Sequence, residues 1–510
     1  NHTYPTNINY TELKHLDIIF NIHLNKFIVV TNIDIYKDIE DIQFILSGTG
    51  YYRLLSTAAP KINSKPLEAI MNNQSQKVID TIDIYESLLN IASNPIHPLL
   101  LIQGPPGTGK TKLINEIINK IKIPNNKCIL LCAPSNKAVS NIIYAGNLTK
   151  SQFIVYGSID NIEESAIKYS YYYRKQELDD NIQIWSCLQQ YFIMNNMQKK
   201  QVEENILNPW LEQNNYQHSQ LKHIKELLDI EYDIIYNHNV SYIFCTVNTA
   251  ASFYIRNRNI YLAIVDEAAQ CKEAETLILL QQNISNIILI GDPNQLPATV
   301  KNQHCKNAKY DRSLLERLYT NKCHVHLLNV QYRMHPQIAY FPSNTFYRGL
   351  IQNGKKFNKS NQPYTIVQMD HSIQQQTNDK SIRNVIEADY IIETVNKMNH
   401  SYNTIPFGII TPYKAQKMYL EENLKSNNIS IGTVDSFQGQ ERDIIILSLV
   451  RSSESNGIGF LYDSRRLNVA LTRARYKLIV VGNIKSLANK NKLWQLLYKD
   501  SINRGVIKYA

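Results

Sequence analysis

No apolar run in this chain reaches the roughly 18 residues that a bilayer-spanning helix needs, and its first residues lack a charged head followed by an apolar core. That pattern sets the expectation of a soluble, intracellular chain. Cysteine is sparse: the seven residues Cys128, Cys132, Cys187, Cys245, Cys271, Cys305 and Cys323 form no Cys-x-x-Cys pair and no spacing that would ligate zinc or an iron–sulfur cluster. A reducing compartment fits this usage. Low-complexity segments are also missing, the abundance of Asn, Ile, Tyr and Lys being spread along the whole chain. What is present is length and positive charge. The 510 residues are too many for one ordinary core, and 54 Lys and Arg against 44 Asp and Glu leave a net charge of +10. Such a balance suits a partner carrying phosphates without demanding one.

Short β-rich apolar runs end in polar or glycine-rich turns, most of them followed by a helical stretch. They are Pro98 to Gln103, Lys127 to Cys132, Tyr261 to Val265 and Asn286 to Ile290, then Pro406 to Ile410, Ile429 to Val434, Asp443 to Val450 and Tyr476 to Val481. Buried runs alternating with helices predict parallel sheets covered on both faces, and the two clusters, separated by Lys301 to Thr365, predict two α/β domains. Residues 1–66 carry β-like stretches (Phe27 to Thr31, Gln43 to Leu46, Tyr51 to Leu55) without a phosphate loop and read as a small accessory β region. The first α/β domain is expected over 67–162 and 240–325, and the second over 326–510. Residues 163–239 are mostly polar, with apolar residues at helical spacing (Leu178, Ile182, Trp185, Leu188, Phe192; Leu221, Ile224, Leu228) and an interruption at Pro209. They read as a helical hairpin inserted in the first domain, either a spacer or a nucleic-acid contact.

Ligands of open parallel sheets sit beyond the carboxyl ends of the strands, and the chemistry-bearing turns fall there. Gly104-Pro105-Pro106-Gly107-Thr108-Gly109-Lys110-Thr111 follows an expected strand and opens an expected helix, Lys112 to Ile121, which is the context a phosphate loop requires. The glycines let backbone N–H groups wrap the phosphates of ATP, Lys110 reaches the β and γ phosphates, and Thr111 ligates Mg2+. Asp266 and Glu267 stand together at a strand tip, where successive side chains point in different directions. Asp266 can hold the metal while Glu267 acts as the general base on a water in line with the γ phosphate. Gln295, in Gly291 to Pro297 after the next run, is placed to sense the γ phosphate or its water.

Arg333, in Gln331-Tyr332-Arg333-Met334-His335-Pro336, and Arg473, in Asn468 to Arg475, lie beyond the first α/β cluster. Guanidinium groups neutralise charge on a departing γ phosphoryl group, so these two are candidate catalytic arginines. Arg465, Arg466 and Arg475 read as surface ion pairs.

Together the motifs resemble superfamily 1 helicases, specifically the 5′-to-3′ branch (superfamily 1B) containing the nonsense-mediated-decay helicase and senataxin. Asn73-Gln74-Ser75-Gln76 looks like the adenine-reading Q motif, Ala133 to Asn136 like motif Ia, Gly291 to Val300 like motif III and Val330 to Pro336 like motif IV. Gly432 to Glu441 looks like motif V, and Leu471 to Arg473 like motif VI. Gly291 to Pro297, Phe341-Pro342-Ser343 and Gly459-Phe460-Leu461 before Arg465-Arg466 are more similar to the senataxin group than to the decay factor. The resemblance implies two RecA-like domains in tandem and an ATP-driven helicase on single-stranded RNA or DNA. It implies that Gln76 reads adenine, Tyr332 stacks on the base, Glu441 helps hold the nucleoside, and Arg333 and Arg473 are arginine fingers. For the strand it implies Pro134, Ser135 and Asn136 in the first domain and Thr411, Pro412, Thr433 and Ser436 in the second. It further implies a monomeric motor with protein partners in RNA processing or transcription and a nuclear, alternatively cytoplasmic, location.

Overall fold

The computed structural model describes residues 98–510 apart from 147, 257, 281–282, 358–361, 379–380, 400–405, 426–427 and 453–456. It also describes 66, 69–70, 72–75, 84–93, 95 and two N-terminal strands. These strands, β1 (Asp17–Asn21) and β2 (Lys26–Val30), pair antiparallel. The expected stretches Gln43 to Leu46 and Tyr51 to Leu55 lie outside the described residues.

The chain divides into two compact units. One comprises Asn1–Leu101, Thr111–Ile290 and Ala298–Val325, the other Ile102–Lys110, Gly291–Pro297 and His326–Ala510. The phosphate loop and the Gly291–Pro297 turn fall in the second of these units.

A seven-stranded sheet is built from β3 (Leu99–Gln103), β4 (Cys128–Ala133), β5 (Phe153–Tyr156), β6 (Tyr242–Thr246), β7 (Asn259–Val265), β8 (Asn283–Gly291) and β9 (His326–Leu327). Their order is β5-β6-β4-β7-β8-β3-β9. The pairings of β4 with β6 and β7, β5 with β6, β7 with β8 and β3 with β9 are parallel. Every residue of β3 and β4 is buried, as expected of strands covered on both faces. β8 lies between the strand that carries the phosphate loop and the strand that carries the paired carboxylates. β5 and β6 were not among the expected runs, although Tyr-Ile-Phe-Cys-Thr carries the same β-rich signal.

The insertion is helical, with more breaks than a hairpin. Tyr171–Asp180 and Ile182–Tyr191 meet at Asn181, and Leu221–Ile235 packs back on them. Pro209 does not end the structure: it sits in the first turn of helix Asn208–Gln213, where a missing N–H costs nothing, directly after a π turn over Glu203–Leu207. A separate small core of Ile184, Leu188, Tyr191, Leu207, Leu211, Leu221 and Ile224 holds it together. Trp185 is only half-buried, stacked on Tyr232 with centroids 4.0 Å apart.

The second unit holds a six-stranded parallel sheet of β10 (Tyr364–Gln368), β11 (Phe407–Ile410), β12 (Ile429–Gly432), β13 (Arg442–Ser448), β14 (Ala474–Gly482) and β15 (Ile507–Tyr509), ordered β12-β11-β13-β14-β10-β15. The two-residue side-chain period of a strand sorts its core into two clusters. Ile366, Ile410, Ile445, Leu447, Leu478 and Val480 pack with helices Pro336–Phe346, Ser464–Leu471 and Lys492–Asn503. Val367, Ile409, Ile446, Ile479 and Val481 pack with helices Val385–Asn399 and Lys414–Asn423. The run expected to reach Val450 ends at Ser448, because Val450 adopts φ +68 and turns its N–H to the Glu387 carboxylate at 2.9 and 3.0 Å. Positive φ in a β-branched residue costs on the order of 1–3 kcal/mol and persists only where its surroundings impose it. Among the described residues no helix is long and apolar enough to cross a membrane.

Candidate active site

The phosphate loop leaves β3 and is pinned to the end of β8, where Gly104 N–H donates to Gly291 O at 2.9 Å. Gly107 and Gly109 take φ +75 and +86, a region closed to most side-chain-bearing residues, so the glycines of the motif are required by the backbone path. Thr108 Oγ1 donates to Pro105 O at 2.8 Å and closes the turn, while Lys110 Nζ donates to Gly104 O at 2.9 Å across it. Helix Lys110–Lys120 begins at the motif lysine, two residues earlier than expected.

The arginine turn lies against this loop. Tyr332 N–H donates to Gly107 O at 2.8 Å, and a methyl placed on Gly107 would come 2.5 Å from Arg333 Cβ. Gln331, fully buried, shapes the turn: its Oε1 accepts from Arg333 N and Met334 N at 2.9 and 2.7 Å. Arg333 Nε donates to Glu441 Oε2 and its Nη1 to Thr472 O at 3.2 Å. Arg475 takes the other oxygen of Glu441, its Nε at 2.8 Å, and also reaches Asp443, which makes it the ion pair expected. Burial acts to raise the Glu441 carboxyl, but Arg333 and Arg475 outweigh it and hold it below the ordinary carboxylate range. Tyr332 is 54% exposed, its ring covering Gly354.

Arg473 is placed differently. It is 2% exposed, its Nε donating to Val469 O at 3.0 Å, Nη1 to Gln440 O at 3.3 Å and Nη2 to Thr472 Oγ1 at 3.1 Å. In this conformation the guanidinium joins the segment that carries Glu441 to the end of helix Ser464–Leu471.

Gln295 is tied into a buried polar cluster around Asp292. Asp292 Oδ1 accepts from Gln103 Nε2 and Asn294 N, both at 3.1 Å; Oδ2 accepts from Gln295 Nε2 at 2.9 Å and Tyr347 Oη at 2.6 Å. Sequence reasoning missed Gln103, Tyr347 and Asp292 as site residues, and took Asn468 only as the start of a string.

The carboxylates follow β7 in the first unit. Asp266 is buried, its N–H donating to Cys132 O at 2.9 Å and its Oδ1 accepting Glu267 N–H at 2.8 Å. Glu267 adopts φ +51, and its Oε2 accepts from Gln270 Nε2 at 2.8 Å. A glutamate held in the left-handed region beside a buried aspartate is the kind of local strain that active sites retain. Thr111 and Asp266 are hard oxygen donors of the sort Mg2+ takes, one carboxylate beside phosphates being its usual protein share. Among the described residues no cluster of three or more metal-ligating side chains competes with this pair.

On the strand side, Pro134, Ser135 and Asn136 follow β4, where Ser135 Oγ caps helix Asn136–Ala145 by accepting from Ala138 N at 3.3 Å. Thr433 and Ser436 hold each other after β12, Ser436 Oγ donating to Thr433 O at 2.8 Å. Thr411 is 0% exposed and its Oγ1 has no hydrogen-bond partner, while Pro412 beside it is half-buried. Two residues on, Tyr413 begins a series of ring and guanidinium contacts. Arg451 lies over the Tyr413 ring at 5.2 Å, Tyr413 meets Phe460 edge-on at 6.0 Å, and Arg466 lies over Phe460 at 5.2 Å. Arg466 also pairs with Asp435 and Asp463. Gln76 lies outside the described residues; nearby Ser75 donates to His324 O at 2.6 Å.

Two parallel sheets, a glycine-wrapped phosphate loop after β3 and paired carboxylates after β7 define a P-loop protein with two RecA-like domains in tandem. Two family models, each described as an AAA domain, match residues 71–303 and 310–485. Helicase sen1 of Schizosaccharomyces pombe is 30% identical over 494 residues, which cover 80% of this chain and 29% of that protein. A regulator of nonsense transcripts 1 homolog of Neurospora crassa is 32% identical over 425 residues, covering 79% of this chain and 37% of that protein. Arterivirus nonstructural protein 10, a helicase solved with DNA, matches with TM-score 0.38 at 13% identity over 77% of this chain and 61% of its own. The chain belongs to the superfamily 1B helicases, the family of both the sen1 helicases and the regulators of nonsense transcripts 1, and spans about a third of the length of the curated relatives it matches.

Proposed function

We propose that this chain is the motor of an ATP-driven 5′-to-3′ helicase that tracks single-stranded RNA or DNA and unwinds RNA or RNA:DNA duplexes, as a senataxin-type enzyme of RNA processing or transcription termination. The observation that carries this reading is the bond from Tyr332 N–H to Gly107 O, which sets Arg333 on the phosphate loop. A P-loop without such an arginine is only a nucleotide cradle; with it, charge on the transferring phosphoryl group is neutralised by a residue far along the chain.

Lys110 and the backbone N–H groups of 107–111 bind the β and γ phosphates, Tyr332 stacks on adenine, and Gln76 and Glu441 hold the base and nucleoside. Glu267 accepts a proton from water as the water oxygen bonds to the γ phosphorus. The bond from that phosphorus to the bridging oxygen breaks, and ADP and phosphate leave. Gln295 orients the water, Arg333 neutralises the developing charge, and Arg473 joins it by turning out of its bonds to Val469, Gln440 and Thr472. Thr111 and Asp266 would hold Mg2+, which supplies neutralisation of the phosphate oxygens. Pro134, Ser135, Asn136, Thr411, Pro412, Thr433 and Ser436 grip sugars and phosphates without reading sequence. The insertion 163–239 serves as wedge or clamp, and the motor works as a monomer, in the nucleus, with protein partners.

ATP hydrolysis with and without single-stranded RNA or DNA, followed by unwinding of duplexes with 5′ or 3′ overhangs, tests the reading. Stimulated hydrolysis and a preference for 5′ overhangs are expected; no stimulation, or a 3′ preference, overturns it. A second reading, RNA surveillance of the nonsense-mediated-decay type, is favoured by the comparable identity to the regulators of nonsense transcripts.

A further inference from the structure

The cluster around Asp292 is more than local packing. Asp292 is 1% exposed, and its four donors, Gln103, Asn294 N, Gln295 and Tyr347, are all neutral groups. A buried carboxylate without a directly bonded cation depends on the full set of such donors, since each loss leaves part of a charge undischarged. Two of the four share Oδ2: the amide of Gln295 and the hydroxyl of Tyr347. The direction in which Oδ2 presents itself to Gln295 is therefore set partly by Tyr347.

Tyr347 is itself held. Asn468 Nδ2 donates to Tyr347 Oη at 2.7 Å and to Asn294 O at 2.8 Å. Asn468 is 0% exposed and its Oδ1 lacks a partner, so its two donated bonds are what hold the side chain in place. Burial and then the Asp292 carboxylate push the Tyr347 hydroxyl well above its ordinary pKa, so it remains a donor. Past Asn468 the bonds continue: Thr472 Oγ1 donates to Asn468 O at 2.7 Å, and Thr472 O accepts Arg333 Nη1 at 3.2 Å. Gln295, Asp292, Tyr347, Asn468, Thr472 and Arg333 form one unbroken chain of hydrogen bonds.

We propose that Tyr347 is a positioning residue that ties the setting of Gln295 to that of the arginine-bearing segment Asn468 to Arg473, so that a change at the γ phosphate is passed to helix Ser464–Leu471. The proposal rests on the ATPase reading above. Tyr347 touches neither nucleotide nor water in this role; it acts through Asp292 on one side and Asn468 on the other.

The test uses the whole chain, with Tyr347→Phe, Asn468→Ala and the double variant, and two readouts. In steady-state hydrolysis with saturating single-stranded RNA, Tyr347→Phe is expected to lower kcat tenfold or more with KM for ATP within twofold. The double variant should fall no further than the worse single one, because both break the same chain. In hydrogen exchange, a non-hydrolysable ATP analogue should slow the amides of residues 464–473 in the wild type and leave them unchanged in Tyr347→Phe. A kcat within twofold of wild type, a loss shared equally by kcat and KM that follows a lower Tm, or single effects that multiply would each overturn the proposal. So would an exchange response that survives in Tyr347→Phe. A wild type that hydrolyses nothing but shows the exchange response, with its loss in the variant, would keep the relay and refute the ATPase reading instead.

Discussion

Arg333 and Glu441, 108 residues apart, are joined by a bond from the arginine Nε to Glu441 Oε2, and Arg475 holds the other carboxylate oxygen. The candidate finger is thus oriented by a carboxylate that the two arginines keep ionised. That stabilisation is present above the ordinary carboxylate pKa and is lost as pH falls through the depressed value of Glu441. Arg333→Ala should lower kcat for stimulated ATP hydrolysis by about 10³, the scale of an arginine finger, with little change in KM. Arg333→Lys should recover little, because an ammonium cannot serve Glu441 and Thr472 O in one plane. Steady-state kinetics checks both.

Glu267→Gln should lower turnover by about 10²–10⁴ while leaving ATP binding within a few fold, since only the proton acceptor is removed. Equilibrium binding of a fluorescent ATP analogue beside single-turnover hydrolysis separates the two; full turnover in the variant would reassign the base.

Gly107→Ala should weaken ATP binding about tenfold or more. The left-handed φ alone costs an L-residue about 1–2 kcal/mol, and the added methyl meets Arg333 Cβ. Calorimetric titration with ATP, set against Tm, measures it.

Thr411 offers a test of a buried strand contact. Its hydroxyl is unpartnered, so Thr411→Val keeps the shape and should leave Tm unchanged or slightly raised. If the turn opens that hydroxyl to a bound strand, affinity for single-stranded RNA falls about fivefold, the worth of roughly 1 kcal/mol. Fluorescence anisotropy at fixed salt reads the change.

Glu387 makes stability depend on pH. Burial pushes its carboxyl up to about 7, against the opposing pull of its bonds from Ser448 and Val450. The folded state therefore binds this proton more tightly than the unfolded state, and the contribution is complete below the ordinary value of 4.5 and lost as pH rises through about 7. The loss is about 3 kcal/mol at one pKa unit per 1.36 kcal/mol. Unfolding midpoints of wild type minus Glu387→Gln should fall from pH 5 to 8; a flat difference would remove Glu387 as the cause.

The phosphate loop, the paired carboxylates and the arginine turns were legible because each is a local pattern with a local physical reason. Glycines at 107 and 109 answer to positive φ, and a Ser or Thr after Lys answers to a metal. Most strands were legible for the same reason, being buried runs bounded by turns. Val450 escaped because nothing in an apolar run signals that its last amide is claimed by Glu387, 63 residues earlier.

The sequence by itself determined the chemistry available: which groups can cradle phosphate, accept a proton and neutralise a leaving group. Tertiary structure alone decided which of them meet. Arg333 rests on Gly107 and Glu441, whereas Arg473 is buried against Val469, Gln440 and Thr472; both are arginines in turns, and no spacing foretells the two placements. Tyr347 and Asn468, 121 residues apart, and Gln103 and Asp292, 189 apart, join one buried network because the low-dielectric interior penalises every unpaired polar group. That penalty acts on the folded neighbourhood, and no periodicity along the chain records it.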